Sequence, residues 1–436
     1  MFDKRIVNGL VYQGGMFEQT NIYINKETIA LVSDAFYDAK ETIDASGMKV
    51  FPGLIDPHVH FALDLGKTTS ADDFQNGSRS ASFGGVTTFI DFLDPVDNEK
   101  DLVHAFERRL EEAGDSVIDY RFHATIKQPK CDLETFLLTM KELGLSSLKL
   151  FTTYSDSGRK TDDESIFELL RLSRKHGILI LAHVENDELI RLDDAFTYRA
   201  LSISRPSQSE QMEAMKLAEF VRKTKGSLYM VHCSSGKTVK ALVDNYSDIL
   251  HKHMFLESCP HYFNLTNDCL MQENGYLYTM APPLRSLAEK ELLKRLSHEI
   301  DTIGTDHCPF MEQEKNHLML KDIPLGIGSI EHSFELMHPI LQTKLVEKMS
   351  MNPAKIFGLD HSKGSIERGK DADLFLFEEQ KDAIIRKSHS KSDVDLFEGR
   401  PTDGVIRCTM SRGRVIVQDG VFLGGKGIYL GKRVQS

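Results

Sequence analysis

Six side chains in this sequence, His58, His60, Lys149, His183, His232 and Asp306, have the types and spacing of one binuclear metal site. Each lies at the end of a short apolar run: VFPGLID before His58, SSLKLF around Lys149, then ILILAH, SLYMVH and DTIGTD. His58 and His60 are two apart, so in an extended chain both project to one face, as two ligands to a single ion must. An ordinary lysine is protonated at neutral pH and repels a cation. Burial favours the neutral amine, and addition of CO₂ then turns Lys149 into a carbamate whose two oxygens can bridge two ions. His183 and His232 are followed by VEND and CSS, polar groups suited to hydrogen bonding the ligands from behind. Asp306, in IGTDHCPF, can both touch a metal and move a proton. Neutral imidazoles, a carbamate and a carboxylate suit Zn²⁺ or a similar ion. Such a pair acidifies a bridging water and polarises an amide carbonyl, so the chemistry is metal-assisted hydrolysis of a C–N bond.

Side chains so far apart in sequence meet where strand ends converge, as at the mouth of a (β/α)₈ barrel. Eight runs qualify as strands: VFPGLID, TTFIDF, YRFHAT, SSLKLF, ILILAH, SLYMVH, HMFLES and DTIGTD. Amphipathic stretches such as DLVHAFERRLEEAG and ESIFELLRLSRKHG alternate with them, which predicts an α/β fold, a TIM barrel over residues 53–355. Residues 1–52 read as short strands and hairpins, and β character returns in DADLFLFE, GVIRCTM and RVIVQDG. Residues 1–52 and 356–436 are therefore expected to form one composite β-sandwich, with the barrel inserted between its halves. The polar segment EEQKDAIIRKSHSKSDVDLFEGRP reads as a partly mobile loop. GGKGIYLG lies between no strand and helix, so it reads as an ordered tail rather than a phosphate loop.

A chain of 436 residues is long enough for one large domain with an appended smaller one. Its net charge of -12 comes from acids and bases mixed along the length, with no basic block of the kind nucleic-acid binders carry. No stretch approaches the roughly 20 apolar residues that span a bilayer, and the N-terminus lacks an apolar export signal, so a cytoplasmic protein without a membrane partner is expected. Six scattered cysteines without CxxC pairs read as reduced thiols.

In order along the chain, PGLIDPHVHF, SLKLFTTY, HVEND, VHCSS, ESCPHYF, APPLR, IGTDHCPF and MNPAKIFGL resemble the amidohydrolase superfamily, and within it the dihydropyrimidinase and hydantoinase family of cyclic amide hydrolases. The resemblance covers nearly the whole chain. It implies two Zn²⁺ ions, or similar divalent ions, bridged by carbamylated Lys149, with His58, His60, His183, His232 and Asp306 completing the ligand set. Asp306 would also be the proton shuttle. Tyr154 matches the family's tyrosine, whose hydroxyl donates to the oxyanion, and it joins Ala281 and Leu325 as the expected substrate contacts. The resemblance further implies a small cyclic amide as substrate and a homotetramer. Departures bear on the substrate. Dihydroorotases carry an arginine where this chain has Ala62, so a carboxylate clamp is missing. Ala281 replaces a serine, and Leu325, in IPLGIGSIE, replaces the family's asparagine, which favours an apolar ring substituent. Allantoinase or another cyclic ureide hydrolase is the alternative, then a dihydroorotase-like enzyme, then a non-catalytic scaffold of the same fold.

Overall fold

Each of the eight runs contributes one barrel strand. In the computed structural model, which describes residues 1–431, they are β1 (Leu54–Val59), β2 (Val86–Phe92), β3 (Asp119–Thr125), β4 (Ser147–Phe151), β5 (Leu179–His183), β6 (Leu228–Met230), β7 (Met254–Ser258) and β8 (Thr302–Ile303). Each pairs in parallel with its sequence neighbour. Just beyond β8 a parallel bridge joins His307 to Val59 of β1 and closes the ring. There the His60 N–H donates to the His307 carbonyl at 2.9 Å and the Asp306 N–H to the His58 carbonyl at 2.9 Å. The first and last site segments are thus locked to each other by backbone.

Strands β1 and β2 are buried along their whole length because helices cover the outside and side chains fill the inside. Ile55, Ile90, Leu181, Tyr229 and Val231 form that interior, joined by Ala354, Phe357 and Leu359 from beyond the barrel. The helix Asp163–His176 shows how the covering layer is encoded. Asp162 accepts from the Ser165 N–H at its start, Ile166, Leu169, Leu170 and Ser173 make one buried face, and Gly177 stops it at φ 68°.

The terminal segments build two further sheets. One has the strands Thr28–Ser33, Asn21–Asn25, Phe2–Val7 and Ala39–Asp44. In the other, Leu374–Ile384 runs antiparallel to Lys49–Pro52, which joins the C-terminal strands to the N-terminal ones. Strand alternation divides the labour: Leu374 and Leu376 face the sandwich core with Ile6, Ile22 and Val50, whereas Phe375 and Phe377 pack on the barrel side. Buried Lys363 sits among Asp119, Asp371 and Asp373 at 2.6, 2.9 and 2.6 Å and ties β3 to this domain. Those three carboxylates lie close enough to hold a metal, but the ammonium already occupies their centre.

Two expectations need correction. VFPGLID is two elements, because Val50–Pro52 belong to the sandwich and the barrel begins at Leu54. Gly53 makes the junction; a Cβ there would meet the Thr87 hydroxyl at 2.2 Å. The segment 378–401 is neither wholly loop nor loosely held. Strand Leu374–Ile384 continues through its charged start, with Glu378 half-buried and Glu379, Lys381 and Asp382 exposed. Beyond it, Ser390 and Lys391 donate to Asp72, Ser392 to the Phe310 carbonyl, and His332 pairs with Asp395. GGKGIYLG is an ordered tail, with Tyr429 packed on Phe106, Tyr120 and Phe122. No helix among the described residues is long and apolar enough to cross a membrane.

Candidate active site

His58 and His60 converge with Asp306 as the strand spacing requires. Their Nε2 atoms are 3.2 Å apart, and Asp306 Oδ1 lies 3.1 Å from each. Burial opposes ionisation of Asp306, yet the two imidazoles outweigh it and hold the carboxyl well below its usual range. Burial likewise opposes charge on His58, but Glu257 and Asp306, one at each edge of the ring, raise its pKa to about 9. His60, with no second carboxylate, is pushed down to about 4 by burial.

Sequence reasoning missed Glu257. It rises from β7, fully buried, and accepts from His58 Nδ1 at 2.7 Å, from the His232 N–H at 2.9 Å and from the Tyr229 hydroxyl at 2.8 Å. One carboxylate thereby orients a ring on β1 and the backbone after β6. Glu185 of VEND accepts from His183 Nε2 at 2.7 Å as anticipated, and it is itself held by Arg205, another residue the sequence did not point to. The CSS segment does something else. The N–H groups of Ser234 and Ser235 donate to Glu210, at 3.0 and 3.1 Å, because that buried acid on the helix Ser207–Thr224 reaches them first.

Lys149 is the oddest member. Its side chain is buried over the rings of Phe92 and Phe151, at 4.9 and 5.7 Å, and has no ion-pair partner among the described residues. Burial lowers its pKa to about 8. The rings of His183 and His232 are 4.6 Å apart, centroid to centroid, and Tyr154 stands 5.1 Å from His183 with the Arg205 guanidinium 4.7 Å over its ring. Burial raises the Tyr154 pKa, so its hydroxyl remains a donor. Three of these residues turn inward through left-handed backbone: Tyr154 at φ 71°, His232 at 42° and Asp306 at 51°. Such conformations cost about 1–3 kcal/mol each and cluster where side-chain aim matters.

One cavity at the barrel mouth collects these groups. His60, Lys149, His183, His232 and Asp306 line it together with Tyr154, Ala281 and Leu325, and an apolar wall of Leu63, Leu65, Phe92, Leu93 and Phe151 faces them. His58 is buried behind His60, and Ala62 is not among the lining residues. A metal fits the donor set. His58, His60 and Asp306 offer atoms within 4.8 Å of one another, and the buried Nδ1 atoms of His60 and His232 have no hydrogen-bond partner.

Residues 49–416 match the sequence profile of the amidohydrolase family. The chain belongs to that family. D-Phenylhydantoinase from Escherichia coli O81 (strain ED1a) is 33% identical over 419 residues, 90% of each chain. Among solved structures, D-hydantoinase (dihydropyrimidinase) from Thermus sp. superposes with a TM-score of 0.92 at 30% identity, and dihydropyrimidinase from Brevibacillus agri NCHU1002 with 0.92 at 27%, each covering 99% of both chains. For an amidohydrolase, Glu257 is a testable part of the site. Glu257→Gln keeps the shape and loses the charge behind His58, so divalent-ion affinity is expected to fall about 10–100-fold. Competition against a chelator reads this directly, and wild-type affinity would remove Glu257 from that role.

Proposed function

We propose that this amidohydrolase opens the ring amide of a dihydropyrimidine or a 5-substituted hydantoin to give an N-carbamoyl amino acid. What carries the reading is one cavity in which imidazoles, Asp306 and an unpaired buried lysine face an apolar wall. His58, His60 and Asp306 would hold one Zn²⁺ or similar ion and His183 and His232 the second, with carbamylated Lys149 shared between them. When bound, such a pair polarises the ring carbonyl and supplies an acidified water at neutral pH.

The protein's own groups do the rest. Asp306 is ionised at neutral pH and takes the proton of the attacking water, then delivers it to the leaving ring nitrogen as the C–N bond breaks. The Tyr154 hydroxyl donates to the oxyanion that forms on the carbonyl, a contribution of about 3–4 kcal/mol for a donor of this kind. Leu63, Leu65 and Leu325 suit an apolar substituent on the ring. The reading extends to a cytoplasmic homotetramer acting on a small molecule, with no nucleic-acid or membrane partner.

Zinc-loaded protein assayed on dihydrouracil, 5-phenylhydantoin, allantoin and dihydroorotate tests this. Turnover of either of the first two is expected. Turnover of allantoin or dihydroorotate alone, or of none, would overturn it.

A further inference from the structure

Two segments without regular structure finish the substrate side of the cavity: residues 279–282, which carry Ala281, and residues 324–326, which carry Leu325. They already touch, since the Gly326 N–H donates to the Thr279 carbonyl at 3.0 Å. Behind them ends the short helix Glu312–Lys315. Lys315 is 1% exposed, and its Nζ donates to the carbonyls of Thr279 at 2.9 Å, Pro324 at 3.0 Å and Gly326 at 2.8 Å. All three N–H bonds of the ammonium are used on backbone, and it forms no ion pair with a carboxylate among the described residues. A methionine would fill the same space without burying a charge. The cation therefore needs a reason, and the three carbonyls supply it.

We propose that Lys315 is a positioning residue whose ammonium clamps the Ala281 and Leu325 segments together and so sets the width of the substrate side of the cavity. What the cavity binds rests on the hydrolase reading above; the clamp itself does not.

The groups around Lys315 allow the charge to be varied. Burial pushes its pKa down to about 7, with the Cys308 side chain opposing that shift. The Phe310 ring centroid lies 5.8 Å from Nζ. On its own helix Glu312 accepts from Tyr276, while Glu314 is engaged by the Met311 N–H and Thr68. A neutral amine has two N–H bonds for three carbonyls and points a lone pair at the third, so the clamp loosens as pH rises through about 7. Arginine stays charged throughout.

The test uses the full-length, metal-loaded protein as wild type, Lys315→Met and Lys315→Arg. In the methionine variant, amide exchange is expected to accelerate at residues 279–281 and 325–327, the positions of the two segments that carry an amide hydrogen, and nowhere else. KM for the best ring amide should rise about tenfold or more with kcat nearly unchanged. Wild-type KM should climb above pH 7, and the arginine variant should lose that dependence. Unaltered exchange in those two segments of the methionine variant overturns the clamp. So does a fall in kcat that tracks lost metal in both variants, which marks a merely structural lysine. A wild type that opens no ring amide removes the hydrolase reading, and the exchange experiment still decides the clamp.

Discussion

Lys149→Ala is expected to lose bound metal and ring-opening activity together, with kcat at background and the fold retained. Three buried lysines show why. Lys363 is neutralised by three carboxylates, which raise its pKa above the ordinary value despite burial. Lys315 spends its charge on three carbonyls. Lys149 has neither, only aromatic faces, in a cavity wall shared with His183, His232 and Asp306. A bare ammonium beside four imidazoles would be destabilising, whereas a carbamate supplies the anion that two divalent ions need. Lys149→Arg keeps a cation that cannot form a carbamate, so it should be as inactive as the alanine variant. Metal analysis and kcat on the same preparations check the point, as does reconstitution of metal-free wild type with zinc in the presence and absence of bicarbonate. An alanine variant that retains two ions and turns over substrate would refute the carbamate.

Five of the six residues singled out from the sequence follow an apolar run, and strand ends are where a barrel gathers side chains, whereas Lys149 stands in the middle of β4 and was legible only as a lysine inside a buried strand. Position alone said little about what stands behind them. Glu257 lies within HMFLES, and an acid in a buried strand is a visible signal, but its three hydrogen bonds reach β1, β6 and the residues after β6. Arg205 is twenty residues from the Glu185 it holds, and nothing local pairs them. Lys315 reads as one more polar residue of a short helix until the carbonyls of two distant segments are seen around it. The boundary between residues 52 and 53 was legible, but VFPGLID was counted as one strand across it for a simple reason. Apolar character runs unbroken from Val50 to Ile55, and hydrophobicity does not record which sheet a strand joins.

Asp306→Asn separates the two roles given to this carboxylate. Asparagine has nearly the same shape and can still present an oxygen to His58 and His60, but it carries no charge and accepts no proton at neutral pH. Should Asp306 move the proton, kcat is expected to fall about 10²–10⁴-fold, or roughly 3–5 kcal/mol of transition-state stabilisation, with KM little changed. Metal should be largely retained, because His58, His60, His183, His232 and Lys149 are untouched. The loss should shrink for ring amides with a better nitrogen leaving group, which need less help from a proton donor as the C–N bond breaks. Activity close to wild type with metal bound would remove Asp306 as the shuttle. A loss explained wholly by missing metal would leave it a ligand only. The left-handed backbone of Asp306, at φ 51°, serves either role, since His232, proposed as a ligand without a proton to move, is left-handed too, so the kinetic and metal measurements decide between them.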